Sequence, residues 1–291
     1  MLQISEMSKI YYLLKRICNR KVGTMDIKRI TSALLGFPLV VIILVFGNKY
    51  IVDITFAIVA AMSLHEYFNA FKEKANPVIW MGYVASALIA FIHIFPLEHA
   101  ITIVSVLIPS AIAILFIQVI LTNMKTTVKD IAITFFGICY ISLFLMFVPL
   151  INGFVNGKML VWYIFACAWG TDTFAYIVGK WIGKHKFSKI SPNKSIEGCI
   201  GGIIGAVLIS VLFTYLFNTF FEMQFSYGYT ILISIILSIV GQIGDFAASS
   251  IKRYVDIKDF SNLIPGHGGM LDRIDSIIFI APFAYMLLRL L

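Results

Sequence analysis

The chain has 291 residues, 60% of them hydrophobic and 13% charged, with a mean hydropathy of +0.92. A soluble domain averages about 45–50% apolar and about 25% charged residues, and a large soluble helical core would need polar helix faces that are mostly missing, so the composition points to a polytopic membrane protein. The formal charge of +8 does not mark a nucleic-acid binder, because the cations sit in loops between apolar runs.

Nine apolar runs are predicted as spans, at roughly 30–46, 50–70, 78–97, 100–121, 130–151, 159–179, 196–221, 227–251 and 270–290. Each is near the ~20 residues that a helix needs to cross a bilayer, so the expected fold is all-α. Almost every Lys and Arg falls on one side of the alternation: Lys9 to Arg29, Lys72 and Lys74, Lys125 and Lys129, Lys180 to Lys194, and Lys252 to Lys258. Lys49, Lys158 and Arg289 fall on the other. The positive-inside bias places the N-terminus in the cytoplasm and, for an odd number of spans, the C-terminus outside. In a bacterium this would be the cell membrane. The basic face would also favour anionic headgroups among the membrane lipids.

Residues 1–29 are read as a basic cytoplasmic segment, with Ile10, Leu13, Leu14 and Ile17 at the spacing of an interfacial amphipathic helix. Residues 30–291 are read as one membrane domain, whose catalytic part covers about 165–291. No cleavable signal is expected, since the first apolar run lacks a small-residue cleavage site. Cys18, Cys139, Cys167 and Cys199 show no metal spacing and read as small hydrophobes.

The first five spans are bland except for two acids. Asp53 reads as a helix-start residue favoured by the dipole. Glu66, in Leu64-His65-Glu66-Tyr67-Phe68, is either a solvated interfacial carboxylate or part of a site. His65, His93 and His99 read as interfacial side chains.

Span six changes character. Trp169 to Tyr176 sets a carboxylate, two hydroxyls and a phenol in a helix, with Asp172 and Tyr176 on one face and Lys180 beside them. A carboxylate at such depth needs a partner, water or a metal. The next loop carries five lysines and the order Ser191-Pro192-Asn193-Lys194-Ser195-Ile196-Glu197-Gly198. Ser195 can cap the following helix and leave its positive end facing the cytoplasm. The small residues Gly198, Gly201, Gly202 and Gly205 read as helix packing.

Span eight is longer than the hydrocarbon core, and Asp245, Ser249 and Lys252 line one stripe of it. A loop with Arg253, Lys258, Pro265, Gly266, His267, Gly268 and Gly269 leads into span nine, where Asp272 and Asp275 share a face and flank Arg273. Two acids so close call for a cation. Mg²⁺ takes oxygen ligands from one or two carboxylates and shares the rest with water and substrate phosphates. Asp245 and Asp272 suit it, and Asp172 or Asp275 could join them. The lysines and Arg253 would neutralise phosphates, and transfer at a phosphate depends mainly on position and charge. His267 could donate to phosphate or simply stabilise its turn.

Residues Ser249 to Asp275, SSIKRYVDIKDFSNLIPGHGGMLDRID, resemble throughout the signature of the phosphatidate cytidylyltransferase (CDP-diacylglycerol synthase) family. The stretches Asp172 to Lys180 and Ser191 to Gly198 are similar to two upstream motifs of that family, and Glu66-Tyr67 is close to one of its acidic-aromatic pairs. The resemblance implies transfer of CMP from CTP to phosphatidate, giving CDP-diacylglycerol and pyrophosphate, by a magnesium-dependent and dimeric enzyme with a cytoplasmic-facing polar cleft. By matching position it makes Asp245 and Asp272 metal ligands and groups Asp275 and Lys252 with them as catalytic. It assigns Asp172, Tyr176, Lys180, Ser191, Lys194, Ser195, Glu197, Ser249, Arg253, Lys258, His267, Gly268, Gly269 and Arg273 to the substrates. The competing readings are a CTP-dependent polyprenol kinase and a secondary transporter.

Overall fold

The computed structural model describes residues 36, 38–94, 100–186, 188, 190–264, 266 and 268–289. The basic segment 1–29, the start of the first expected span, His99, Pro265 and His267 lie outside the described residues. Regular structure among those described is helical, with two isolated β-bridges, Lys186 to Ser195 and Ile264 to Gly268. In chain order the helices are α1 (38–46), α2 (Lys49–Phe71), α3 (Ile79–Ile89), α4 (Ala100–Leu121), α5 (Val128–Gly137), α6 (Phe147–Asn152), α7 (Gly157–Ile182), α8 (Ile196–Phe220), α9 (Tyr227–Tyr254) and α10 (Leu271–Leu288). A π-helical turn, Ile138–Leu143, runs between α5 and α6, so that 128–152 is one apolar rod with a widened middle.

Five helices are long and apolar enough to cross a membrane: α2, the part of α4 from Val104, the 128–152 rod, α8 and α9. This is a multi-pass protein. The 26-residue α7 carries Lys158, Asp172 and Lys180, and the 18-residue α10 carries Asp272, Arg273 and Asp275. Neither is among the five, and both bring charged side chains into the helical bundle.

The C-terminal helices pack closely because α8 is smooth on one side. A methyl group added at Gly205 would enter the Phe174 ring of α7, and one at Gly202 would lie 2.9 Å from the Thr171 carbonyl oxygen. The glycines are therefore packing residues, as their spacing predicts. Short polar side chains then link the helices: Tyr163 to Thr214 (2.7 Å), Thr214 to Thr230 (2.9 Å) and Thr171 to Ser238 (2.7 Å). Such bonds between helices average about 0.6 kcal/mol, so close packing carries most of the cohesion. Around them Leu64, Tyr67, Ile141, Ile164, Leu237 and Ile278 belong to one buried cluster, which joins α2 and the 128–152 rod to α7, α9 and α10.

Two acids in α2 depart from expectation. Asn48, not Asp53, caps that helix, through a 2.9 Å bond from the Ile51 N–H. Asp53 is fully buried and pairs instead with His93, whose Nδ1 lies 2.8 Å from both carboxylate oxygens. His93 follows the end of α3 in a 3₁₀ turn, Ile92–Ile94. It is therefore an interior partner and not an interfacial side chain.

Candidate active site

Four segments bring the expected site residues together. Ser195 accepts the Gly198 N–H (3.1 Å) and so starts α8 at the position the sequence predicts. Glu197, in the first turn, folds the preceding loop onto that helix end: it accepts the N–H groups of Lys184 and His185 and lies 2.6 Å from His185 Nδ1. This geometry holds Lys194 against α9, where its ammonium pairs with Asp245 and lies 4.3 Å from the Phe246 ring centre. Arg253, at the end of α9, reaches back to the Ile190 carbonyl and also donates to that of Ile257. The lysine-rich loop is thereby docked on α9.

The second half of the site hangs on Asp272. Its Oδ1 accepts Lys252 Nζ (2.6 Å), and its Oδ2 accepts the N–H groups of Phe260 (2.9 Å) and Gly269 (3.0 Å). One buried carboxylate thus fixes the loop between α9 and α10 at both its ends, and its Oδ1 keeps acceptor capacity beside the ammonium. Gly266 and Gly268 turn that loop with φ of +79° and +83°, the left-handed region that glycine adopts without strain.

Asp172 on α7, Asp245 on α9 and Asp275 on α10 act electrostatically on one another, with Lys194, Lys252 and Arg273 as the opposing charges. Carboxylates on three helices thus lie within electrostatic range of one another, on the side of the fold where Asp272 holds Lys252. Tyr176 is exposed beneath Lys180, whose ammonium lies 5.6 Å from its ring centre. Lys258 and Arg273 are exposed, while Ser191 and Ser249 are half-buried. Lys180 and Lys258 form no ion pair among the described residues.

The cluster suits a hard divalent cation by its donor chemistry. Its acidic groups are all carboxylates, and ammonium groups already sit against two of them. Among the described residues no three His, Cys, Asp or Glu side chains converge into a closed ligand set.

Two further residues belong to this region. Glu66, 4% exposed, is not a solvated interfacial acid. It accepts Ser261 Oγ–H (2.6 Å), Met270 N–H (2.9 Å) and Leu271 N–H (2.8 Å), and so caps α10 from a distant helix. Met270, at the cap position, supplies no side-chain bond of its own. Tyr140, in the π-helical turn, is buried against Phe279 with its hydroxyl unpartnered among the described residues. Asp275, Asp245 and Asp272 all act on it electrostatically. A tyrosine inside an apolar run gives no sign of this, because a π turn has no sequence signature.

A model of the cytidylyltransferase family matches residues 27–291. The chain belongs to the cytidylyltransferase family. It is 29% identical over 295 residues to the phosphatidate cytidylyltransferase of a Synechocystis species, an alignment covering 92% of this chain and 98% of that one. It is 31% identical over 264 residues to the enzyme of that name from Staphylococcus haemolyticus, covering 89% and 98%. To the one from Bacillus subtilis it is 32% identical over 182 residues, covering 62% and 66%. This cytidylyltransferase is therefore a nucleotidyltransferase enzyme embedded in a multi-pass helical scaffold.

Proposed function

We infer that the chain transfers CMP from CTP to phosphatidate, releasing pyrophosphate and forming CDP-diacylglycerol for phospholipid biosynthesis. The observation that carries this reading is the pairing of Lys194 with Asp245 and of Lys252 with Asp272, which sets fixed cations on carboxylates of two helices in a chain of this family. Two highly charged phosphates have to approach each other here, and fixed cations held by carboxylates lower that repulsion.

In this reading an oxygen of the lipid phosphate attacks the α-phosphorus of CTP, the bond to the β-phosphate oxygen breaks, and pyrophosphate leaves. Phosphatidate is already anionic, so no strong general base is required. Lys252 and Lys194 would exchange part of their carboxylate contacts for phosphate oxygens. Arg253, Lys180, Lys258, Arg273, Ser191 and Ser249 supply further donors at the rim, and the family resemblance adds His267 to the substrate-binding set. The backbone amides of Gly268 and Gly269 lie in the loop that Asp272 holds still. Asp275 would join the groups around the reacting phosphates. Asp245 and Asp272 would hold Mg²⁺, Asp172 or Asp275 could join them, and the ion would neutralise charge on the triphosphate. Glu197 and Ser195 position the Lys194 loop, and Tyr176 faces the same rim.

The remaining proposals follow from the chain pattern. Nine spans place the N-terminus and the polar cleft in the cytoplasm, where CTP is found, within a single membrane domain that works as a homodimer. CTP labelled separately in its α- and γ-phosphates tests the reaction, with purified protein, phosphatidate and Mg²⁺. The expected product is a lipid carrying the α label, with the γ label in pyrophosphate, and no product after magnesium is chelated. A lipid carrying the γ label would establish a kinase instead, and flux of a solute without CTP turnover would establish a transporter.

A further inference from the structure

Beside the charged cluster lies a groove of about 500 Å³ between α2, α3 and the loop that Asp272 and Glu66 tie down. That is within the ~300–1,000 Å³ typical of small-molecule sites. Met62 and Leu263 give it apolar walls, while His65, Asn69, Tyr83 and Ser261 give it a polar edge. We propose that this groove seats the glycerol-ester portion of the acceptor lipid, with its phosphate directed past Phe260 toward Lys252.

The polar edge is a directed chain. Asn69 Nδ2 lies 2.8 Å from His65 Nε2, and His65 Nδ1 lies 2.7 Å from the Tyr83 hydroxyl; with the Asn69 amide donating, the neutral imidazole carries its proton on Nδ1 and gives it to Tyr83. With its oxygen accepting, Tyr83 turns its own proton outward, and Asn69 keeps a second amide hydrogen. His65, Asn69 and Tyr83 are all exposed. Polar side chains displayed on apolar helices are costly against hydrocarbon. They are matched by the one layer of a lipid that is rich in acceptors and poor in donors, its ester carbonyls and phosphate.

Phe260 connects this groove to the site. It lines the groove, its N–H is bound to Asp272, and the Lys252 ammonium lies 5.4 Å from its ring centre. Ser261, next to it, is fixed to Glu66. A lipid seated against Tyr83 and Asn69 is thus one side chain from the cation proposed to take its phosphate.

The inference rests on the lipid-acceptor reading, and its test separates the two. Tyr83→Phe and Asn69→Ala remove the outward donors while leaving Glu66 and Asp272 untouched. Each should raise KM for phosphatidate about 3- to 10-fold, as expected for one lost hydrogen bond, with KM for CTP and the thermal midpoint unchanged. A rise in KM for CTP, or no change in either, overturns the proposal. A photoreactive phosphatidate supplies a readout independent of turnover: the adduct is expected on Met62 or Leu263, displaced by unlabelled phosphatidate and not by CTP, and lost in Leu263→Trp. An adduct elsewhere, or one displaced by CTP, overturns the groove. If the parent protein forms the adduct but makes no CDP-lipid, the groove stands and the reaction reading fails.

Discussion

Glu66 receives three hydrogen bonds at the start of α10, two of them from backbone amides that would otherwise be buried without partners. Hydrogen bonds to a charged group are worth about 1.5–3 kcal/mol each, and an orphaned buried donor costs about 1–3 kcal/mol. Glu66→Ala should therefore lower stability by about 2–4 kcal/mol. Glu66→Gln, which keeps an acceptor oxygen, should lose less. Denaturant unfolding in detergent measures both, and an alanine variant as stable as the parent would show that the carboxylate holds nothing. The neighbouring Gly269 has no room for a side chain, since a methyl group there would run into the Glu66 carboxylate. Sequence exposed Glu66 as an acid in an apolar run and, with Tyr67, as a pair like one in the family, but not its capping role, because its partners lie about 200 positions away. Asp172, Asp245, Asp272 and Asp275 were legible for the opposite reason: charge within long hydrophobic stretches is rare unless a site requires it. What spacing could not reveal was the division of labour, in which Asp272 clasps a loop while Asp245 meets Lys194.

Among the elements, α7 and α8 form the rigid pair that sets the position of Asp172. Their contact depends on α8 presenting glycine where α7 presents Phe174 and Thr171. Gly205→Leu should push the helices apart, at about 1–3 kcal/mol for overpacking, and reduce turnover as Asp172 moves away from Asp245. Retention of both full stability and full turnover would mean that the two helices are not held by this contact. Helix limits were readable where a recognised cap stops the rod, as with Ser195 before α8. They were not readable at 78–97, where hydrophobicity continues but α3 ends at Ile89 and a 3₁₀ turn delivers His93 to Asp53. Apolar content reports burial, and it says nothing of where the backbone changes its winding. The π turn around Tyr140 escaped for the same reason.

At the scale of the molecule, cation placement and helix length give a sidedness that can be measured. The 26 residues of α7 extend about 39 Å at 1.5 Å per residue, so the loop before it and the loop after it lie at opposite ends of the rod. In a background without native cysteines, Lys184→Cys should react with a membrane-impermeant thiol reagent only from the cytoplasmic side, and Val155→Cys only from the other. Labelling of both from one side would contradict the orientation drawn from the lysines. In that orientation the carboxylates, the lysines and the proposed acceptor groove would lie where nucleotide and lipid headgroup meet.

Turnover of labelled CTP and phosphatidate by purified Asp245→Asn tests the convergent charged site most directly, with thermal midpoint recorded on the same sample. Loss of a group that holds charge at the reacting phosphates predicts a fall of at least about 100-fold with the midpoint retained. Near-parental activity with unchanged magnesium dependence would contradict it.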